Sequence, residues 1–266
     1  MSKSTYTRVA IVTGAAQGIG RTIALRLAAD GLSVAVNDLE SKLKDLQELV
    51  TEIEAKGGKA LAVPADVSSE ESVKSMVEKT VERLGRLDVM VANAGVDEQP
   101  TPIAELSMDK WRMLMSVNLD GVALCYKYAA AEMIKQGDGG RIIGASSICG
   151  KKGFAYAPAY SAAKFAVRGL TQCVALELAQ YKITVNAYAP GVIATSMAAG
   201  AGGLDAIKEF MKLPSDTSIG STDDVANFVS YVASPPVAVH DRTNGDPRRW
   251  DFVRLKEDIG LKESWI

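Results

Sequence analysis

Histidine is almost missing from this chain of 266 residues: the only one is His240. That scarcity excludes hydrolases that depend on a histidine base and metal sites built from several imidazoles, so no metal is expected and proton chemistry has to use another side chain. Cysteine is scarce as well. Cys125, Cys149 and Cys173 are odd in number and never spaced as CxxC, which argues against a disulfide framework or a zinc site and leaves three buried, reduced thiols as the expectation. A basic excess is also lacking. With a net charge of −2 and a pI near 5.6, the chain has no field to draw in nucleic acid or an anionic membrane, and small molecules are the expected partners. No apolar run approaches the roughly 20 residues of a membrane span, and residues 1–8 lack the apolar core of a signal peptide, so a soluble, cytoplasmic protein is expected.

What is present is alternation. Short β-branched runs at 8–12, 33–37, 60–63, 89–92, 141–145 and 184–189 read as buried strands. Between them lie amphipathic segments: a helix over 18–30, and one through Leu43, Leu46, Val50 and Ile53 that stops at Gly57-Gly58. Ser68 and Glu71 form a capping-box pattern for the next, and two more run over 108–135 and from the Tyr160 region to about Ala179. Strict β-then-α order predicts an α/β protein, a Rossmann-like doubly wound parallel sheet with helices on both faces. The length fits one large domain over 1–235, followed by an atypical tail over 236–266.

Between the first strand and the first helix stands Thr13-Gly14-Ala15-Ala16-Gln17-Gly18-Ile19-Gly20. Glycines there permit a tight turn and let backbone amides approach a pyrophosphate, which also gains from the helix amino terminus. Asp38 ends the second strand twenty residues after Gly18, where an acid can accept from a ribose 2′-hydroxyl and would repel a 2′-phosphate. No Arg or Lys immediately follows it, which favours NAD over NADP. Asp66 and the run Asn93-Ala94-Gly95 fall at later strand ends, where open α/β sheets bind ligands, and the small Ala94 and Gly95 leave room for a cofactor ribose. Taken singly, these residues also read as an ordinary turn and solvated loop acids.

Tyr160 and Lys164 stand four residues apart, with Ser147 thirteen positions before the tyrosine. Positions i and i+4 share a helix face, roughly 5–6 Å apart at Cβ. A free phenol titrates near about 10, and an adjacent ammonium together with the cationic nicotinamide of an oxidised cofactor favours the phenolate, which predicts a lowered pKa and a usable general acid and base. Alone, Ser147 would equally cap a turn, Lys164 face solvent and Tyr160 fill core.

The motifs TGxxxGxG, NAG, a serine thirteen before a tyrosine, YxxxK and PG occur here in one order that resembles the short-chain dehydrogenase/reductase family through about Pro235. The resemblance implies an NAD(P)-dependent enzyme acting on CH–OH groups. Gly14, Gln17, Gly18, Ile19 and Gly20 would then hold the pyrophosphate side, Asp38 the adenosine ribose, and Asp66 with Val67 the adenine. Asn93, Gly95, Pro190, Val192 and Thr195 would line the nicotinamide half. In the catalytic set, Tyr160 would be the proton donor in reduction, Lys164 would tune it and bind the nicotinamide ribose, and Ser147 would bond the substrate oxygen. Asn118 matches the position that shapes a helix bend and supports a water-linked proton relay. The stretches 163–172 and 183–186 look most like acetoin and diacetyl reductases, or butanediol dehydrogenases. That implies a small ketone and NAD, in a pocket walled by Val96, Ile148, Phe154 and Met197. The alternatives are a ketoreductase for a larger polyol, polyketide or steroid-like substrate, with NADP, and a non-catalytic nucleotide-binding protein. The family also implies a homo-oligomer, a tetramer.

Two stretches depart from the family pattern. Only 196–220 is available for the segment that covers substrate, which implies a short lid. After Pro236, where the family has a final strand and an Asp-Gly-Gly turn, clustered charge and Pro247 do not describe a buried strand. Back-translation of Val239–Trp250 with permitted codons, read one nucleotide later, admits Tyr-Met-Thr-Gly-Gln-Thr-Val-Ile-Leu-Asp-Gly-Gly, a family-like ending. The expectation is that a shifted reading frame produced the tail and that the final edge strand is missing or altered as a consequence.

Overall fold

A computed structural model describes residues 6–97, 99–195, 203–210, 212–214 and 216–235. The tail over 236–266 and the expected pocket wall Met197 lie outside the described residues.

Six strands, β1 (Val9–Val12), β2 (Ser33–Val36), β3 (Lys59–Ala62), β4 (Val89–Ala92), β5 (Gly140–Ala145) and β6 (Ile183–Tyr188), form one sheet in the order β3-β2-β1-β4-β5-β6. Every pairing is parallel. Strand residues alternate between two apolar layers: Ala10, Val12, Val34, Val36, Val89 and Val91 face one, while Ile11, Ala35 and Met90 face the other. Both layers are buried because helices cover each side. Helices α1 (Gly18–Ala29) and α2 (Leu43–Ala55) pack on the first, and α3 (Glu70–Leu84) on the second. Each fully buried aliphatic side chain contributes roughly 1.5–3 kcal/mol, which is why short, weakly amphipathic strands suffice.

The helix α3 starts one residue later than its capping-box pattern suggests. Ser69, not Ser68, accepts from the Ser72 amide, while Ser68 turns back to donate to Asp66. The segment expected as one long helix is continuous but not uniform. It comprises α4 (Met108–Met115), a π-helical turn over Ser116–Asp120 and α5 (Gly121–Gln136), so the wide turn sits at Asn118, where a bend was expected. After it come α6 (Pro158–Leu178), which opens on a proline at its first position, α7 (Leu204–Phe210) and α8 (Thr222–Ala233). The capping box of α8 is formed by Ser221 and Asp224, and its far end is held by Arg8 and Arg141, whose guanidinium groups donate to the carbonyls of Ala233 and Ser234 at 2.7 and 3.2 Å.

Strand order runs outward in opposite directions from β1 and β4, and the turns that leave their carboxyl ends part there. Such a crevice is where open α/β sheets bind ligands. Thr13 donates its amide to Val91 at 3.0 Å, so the two turns remain in register at the crevice floor. Among the described residues β6 has β5 as its only neighbour, leaving its outer edge unpaired.

Candidate active site

The turn after β1 has the shape its glycines allow. Gly14 and Gly18 take left-handed backbone angles, φ +64° and +56°. Gly14 is also crowded, since an added Cβ would lie 2.9 Å from Ala94 Cα. At the amino end of α1 the cap residue Gln17 makes no side-chain hydrogen bond to the first turn, which leaves those amides for an anionic ligand. They border a cleft of about 700 Å³ walled on one side by Ala16, Gln17 and Gly18 and on the other by Ala194 and Thr195. Ile19 packs against the first apolar layer, and Gly20 abuts the Gly14 carbonyl too closely for any side chain. These residues fit a pyrophosphate.

Asp38 lies at the mouth of the same turn. Its carboxylate accepts from the Ala16 amide at 3.1 Å and the Leu39 amide at 2.9 Å, so the acid is oriented by backbone it shares with the glycine turn. Further along, Asp66 is exposed and accepts from both the amide and hydroxyl of Ser68, and Val67 is buried against Gly121. Pro190 accepts from the Ile148 amide and Val192 from Gly220, which ties the segment after β6 to both sides of the crevice.

The serine, tyrosine and lysine converge. Ser147 follows β5 and its hydroxyl accepts from the Cys149 amide at 3.1 Å while bonding the phenol of Tyr160. Lys164 is 3% exposed, its ammonium donates to the Ala145 carbonyl at 3.0 Å and stands 5.4 Å from the centre of the Tyr160 ring. Its own carbonyl accepts from Ser146 at 2.9 Å. Both ends of the lysine are thus clasped by the end of β5. Asn118 is fully buried in the π turn, accepting from the Val96 amide at 3.1 Å and donating to the Val96 carbonyl at 2.9 Å.

Two expectations about this cluster change. The room left by Gly95 is taken by protein: an added Cβ would lie 2.7 Å from Asn118 Oδ1 and 3.5 Å from Lys164 Nζ. The phenol of Tyr160 is not lowered by its neighbour. Burial pushes its pKa up, Cys149 and Asp97 add to that, and the bond from Ser147 opposes it. Burial also brings Lys164 down to about 8, so the ammonium is largely kept at neutral pH and is lost as pH rises above that value. Without a second cation the phenol holds its proton.

Two participants, Cys149 and Tyr188, carry no motif, and Tyr188 acts through Asn93. Asn93 presents its amide to protein on both sides, donating to the Thr13 carbonyl at 2.8 Å and accepting from Tyr188 at 2.7 Å. Cys149 is half-buried beside Ser147, while Cys173 is exposed, so of the three thiols only Cys125 is buried as expected. Position alone, two residues after the serine, could have drawn attention to Cys149. Nothing in the sequence separates Tyr188 from any core aromatic. Among the described residues no group of histidine, cysteine and acid side chains could hold a metal, and no helix is long and apolar enough to cross a membrane.

Residues 8–202 match the family described as "short chain dehydrogenase". A short-chain dehydrogenase/reductase of Hericium erinaceus, eriH, is 46% identical over 85% of this chain and 90% of its own length. The L-2,3-butanediol dehydrogenase of Corynebacterium glutamicum is 40% identical over 85% of this chain and 92% of its own. In three dimensions the crystal structure of the acetoin dehydrogenase YohF from Salmonella typhimurium superposes with a TM-score of 0.74 at 36% identity, covering 86% of this chain and 89% of that one.

Proposed function

Since this chain belongs to the short-chain dehydrogenase/reductase family, whose members are oxidoreductases acting on CH–OH groups, we propose that it interconverts a small hydroxyketone or diketone, of the acetoin or diacetyl kind, with the corresponding secondary alcohol, using NAD. The observation that carries this reading is the convergence of Ser147, Tyr160 and buried Lys164 at the carboxyl end of β5, beside the turn that follows β4. The likeness to a butanediol dehydrogenase and an acetoin dehydrogenase supports the small substrate.

The chemistry a reduced nicotinamide would supply, when bound, is the hydride. The protein's part is the proton and the geometry. Tyr160 gives its phenolic proton to the carbonyl oxygen, so hydride on carbon and proton on oxygen together yield the alcohol. Ser147 donates to that oxygen as negative charge gathers on it. A phenol kept protonated by burial is already in the form reduction needs. Lys164 would hold the nicotinamide ribose, and Asn118 fixes Val96 and, through Gly95, the space around the ammonium. Asp38 would bond the adenosine ribose, the glycine turn would take the pyrophosphate, and Asp66 and Val67 would flank the adenine. Pro190, Val192 and Thr195 would border the nicotinamide. We further assign the protein to the cytoplasm and to a homo-oligomer, with residues 1–235 as the catalytic domain.

A second reading, a bulkier ketone, is supported by the likeness to a 3-oxoacyl-[acyl-carrier-protein] reductase of Synechocystis, 39% identical over 88% of this chain and 92% of its own length. One assay separates these. Loss of reduced-nicotinamide absorbance is followed with NADH and then NADPH against acetoin, diacetyl and bulky cyclic ketones, with Tyr160→Phe as control. Turnover favouring NADH and the small ketones, lost by at least about 100-fold in the variant, is expected. Cofactor binding without turnover of any carbonyl would overturn the reading.

A further inference from the structure

The last residue of β6 carries a buried hydroxyl that the catalytic scheme does not use. Tyr188 is 5% exposed, and its ring belongs to the apolar layer that includes Ala15 and Val91. Its hydroxyl donates to Asn93 Oδ1 at 2.7 Å. On the other side of the same amide, Asn93 Nδ2 donates to the Thr13 carbonyl at 2.8 Å and reaches the Gly14 carbonyl at 3.4 Å. Thr13 completes the link, its hydroxyl accepting from the Asn93 and Ala94 amides at 2.9 and 3.0 Å.

The directions of these bonds are forced. Carbonyl oxygens only accept, so the NH₂ of Asn93 must face Thr13 and Gly14. Its oxygen then faces Tyr188, and a hydroxyl facing an amide oxygen must donate. Burial pushes the Tyr188 phenol up, so it stays protonated and remains a donor through neutral pH. Reach matters too. Strands β4 and β6 lie on either side of β5, two spacings or about 9.5 Å apart, and Ala145, paired with Tyr188 in register, is small enough to be crossed. An aliphatic side chain there would fill the layer and leave Asn93 Oδ1 without this donor.

We propose that Tyr188 is a positioning residue for the dinucleotide turn: through Asn93 it holds the Thr13–Gly14 backbone in the shape that receives the cofactor. The inference rests on the reading that a nicotinamide dinucleotide lies on this turn. Gly14 has no slack against Asn93 and Ala94, with an added Cβ falling 2.9 Å from Ala94 Cα and 3.0 Å from Asn93 Nδ2. A tilt of the amide therefore moves the turn.

Tyr188→Phe keeps the ring and removes the bond. In the full-length protein, NADH affinity is measured by fluorescence titration, kcat and ketone KM at saturating NADH, and hydrogen exchange without cofactor. Expected are a roughly tenfold weaker NADH affinity, faster exchange over residues 13–20 with α3 unchanged, and kcat and ketone KM within about twofold of wild type. In an Asn93→Ala background the tyrosine change should add nothing, because its partner is already gone. Unchanged NADH affinity, additive losses, or an equal loss in kcat and ketone KM would overturn the assignment. If wild type binds neither NADH nor NADPH, the proposed function fails instead, and exchange over 13–20 alone judges the tyrosine: unchanged exchange overturns its role.

Discussion

One methyl group at Gly95 should force Asn118 out of place and crowd the ammonium of the catalytic lysine. In Gly95→Ala the new Cβ would stand 2.7 Å from Asn118 Oδ1, well inside contact distance, and 3.5 Å from Lys164 Nζ. Asn118 is fully buried in the π turn and cannot swing outward without giving up the bonds of 3.1 and 2.9 Å that hold Val96. Each such bond is worth about 0.5–1.5 kcal/mol net, so losing both costs about 1–3 kcal/mol. For a domain of this size that corresponds to a melting temperature lower by about 4–8 °C at a cost of 2 kcal/mol. Activity should fall more than stability, by about tenfold or more in kcat/KM, because displacement near Lys164 misplaces the reacting groups. The decisive comparison is the double variant. Asn118→Ala removes the amide that the new methyl would strike, so Gly95→Ala should cost much less stability in that background than in wild type. Melting curves of the four proteins read this directly. Additive losses, or a single variant that melts with wild type, would refute the argument that Gly95 exists to admit Asn118.

Opposite pH dependence is expected for the two reaction directions. Burial keeps Tyr160 protonated, so ketone reduction should be level through neutral pH and decline as Lys164 loses charge above about 8, whereas alcohol oxidation, which releases a proton, should rise with pH; parallel profiles would count against the phenol as the proton carrier. Asp38→Ser should lower the preference for NADH over NADPH by about tenfold, since it removes a carboxylate that would face the 2′-phosphate, and an unchanged ratio of kcat/KM values would show that another group discriminates. Replacing Val239 onward with the family-like ending should raise the melting temperature by about 5 °C or more if a strand then covers the edge of β6 that is unpaired among the described residues. Equal melting points and equal sedimenting masses would argue that the ending contributes neither stability nor assembly.

The alternation of short β-branched runs with amphipathic segments determined the order of elements, the parallel sheet and its two covered faces, because every strand has to bury both sides and each connection has to return across the sheet. The order of the glycine turn, Asp38, Asn93, Ser147, Tyr160 and Lys164 likewise marked the candidate site, since each of these residues is either a strand-end residue or one helical turn from another. Tertiary structure alone decided the electrostatics. Desolvation depends on what surrounds a group and not on its neighbours in sequence, so the spacing of Tyr160 and Lys164 could not show that burial raises the phenol and brings the ammonium down to about 8. It also decided which side chains serve the site from a distance. The pairings of Tyr188 with Asn93 and of Gly95 with Asn118 join residues 95 and 23 positions apart, and only folding brings such partners within a hydrogen bond or a methyl group of one another.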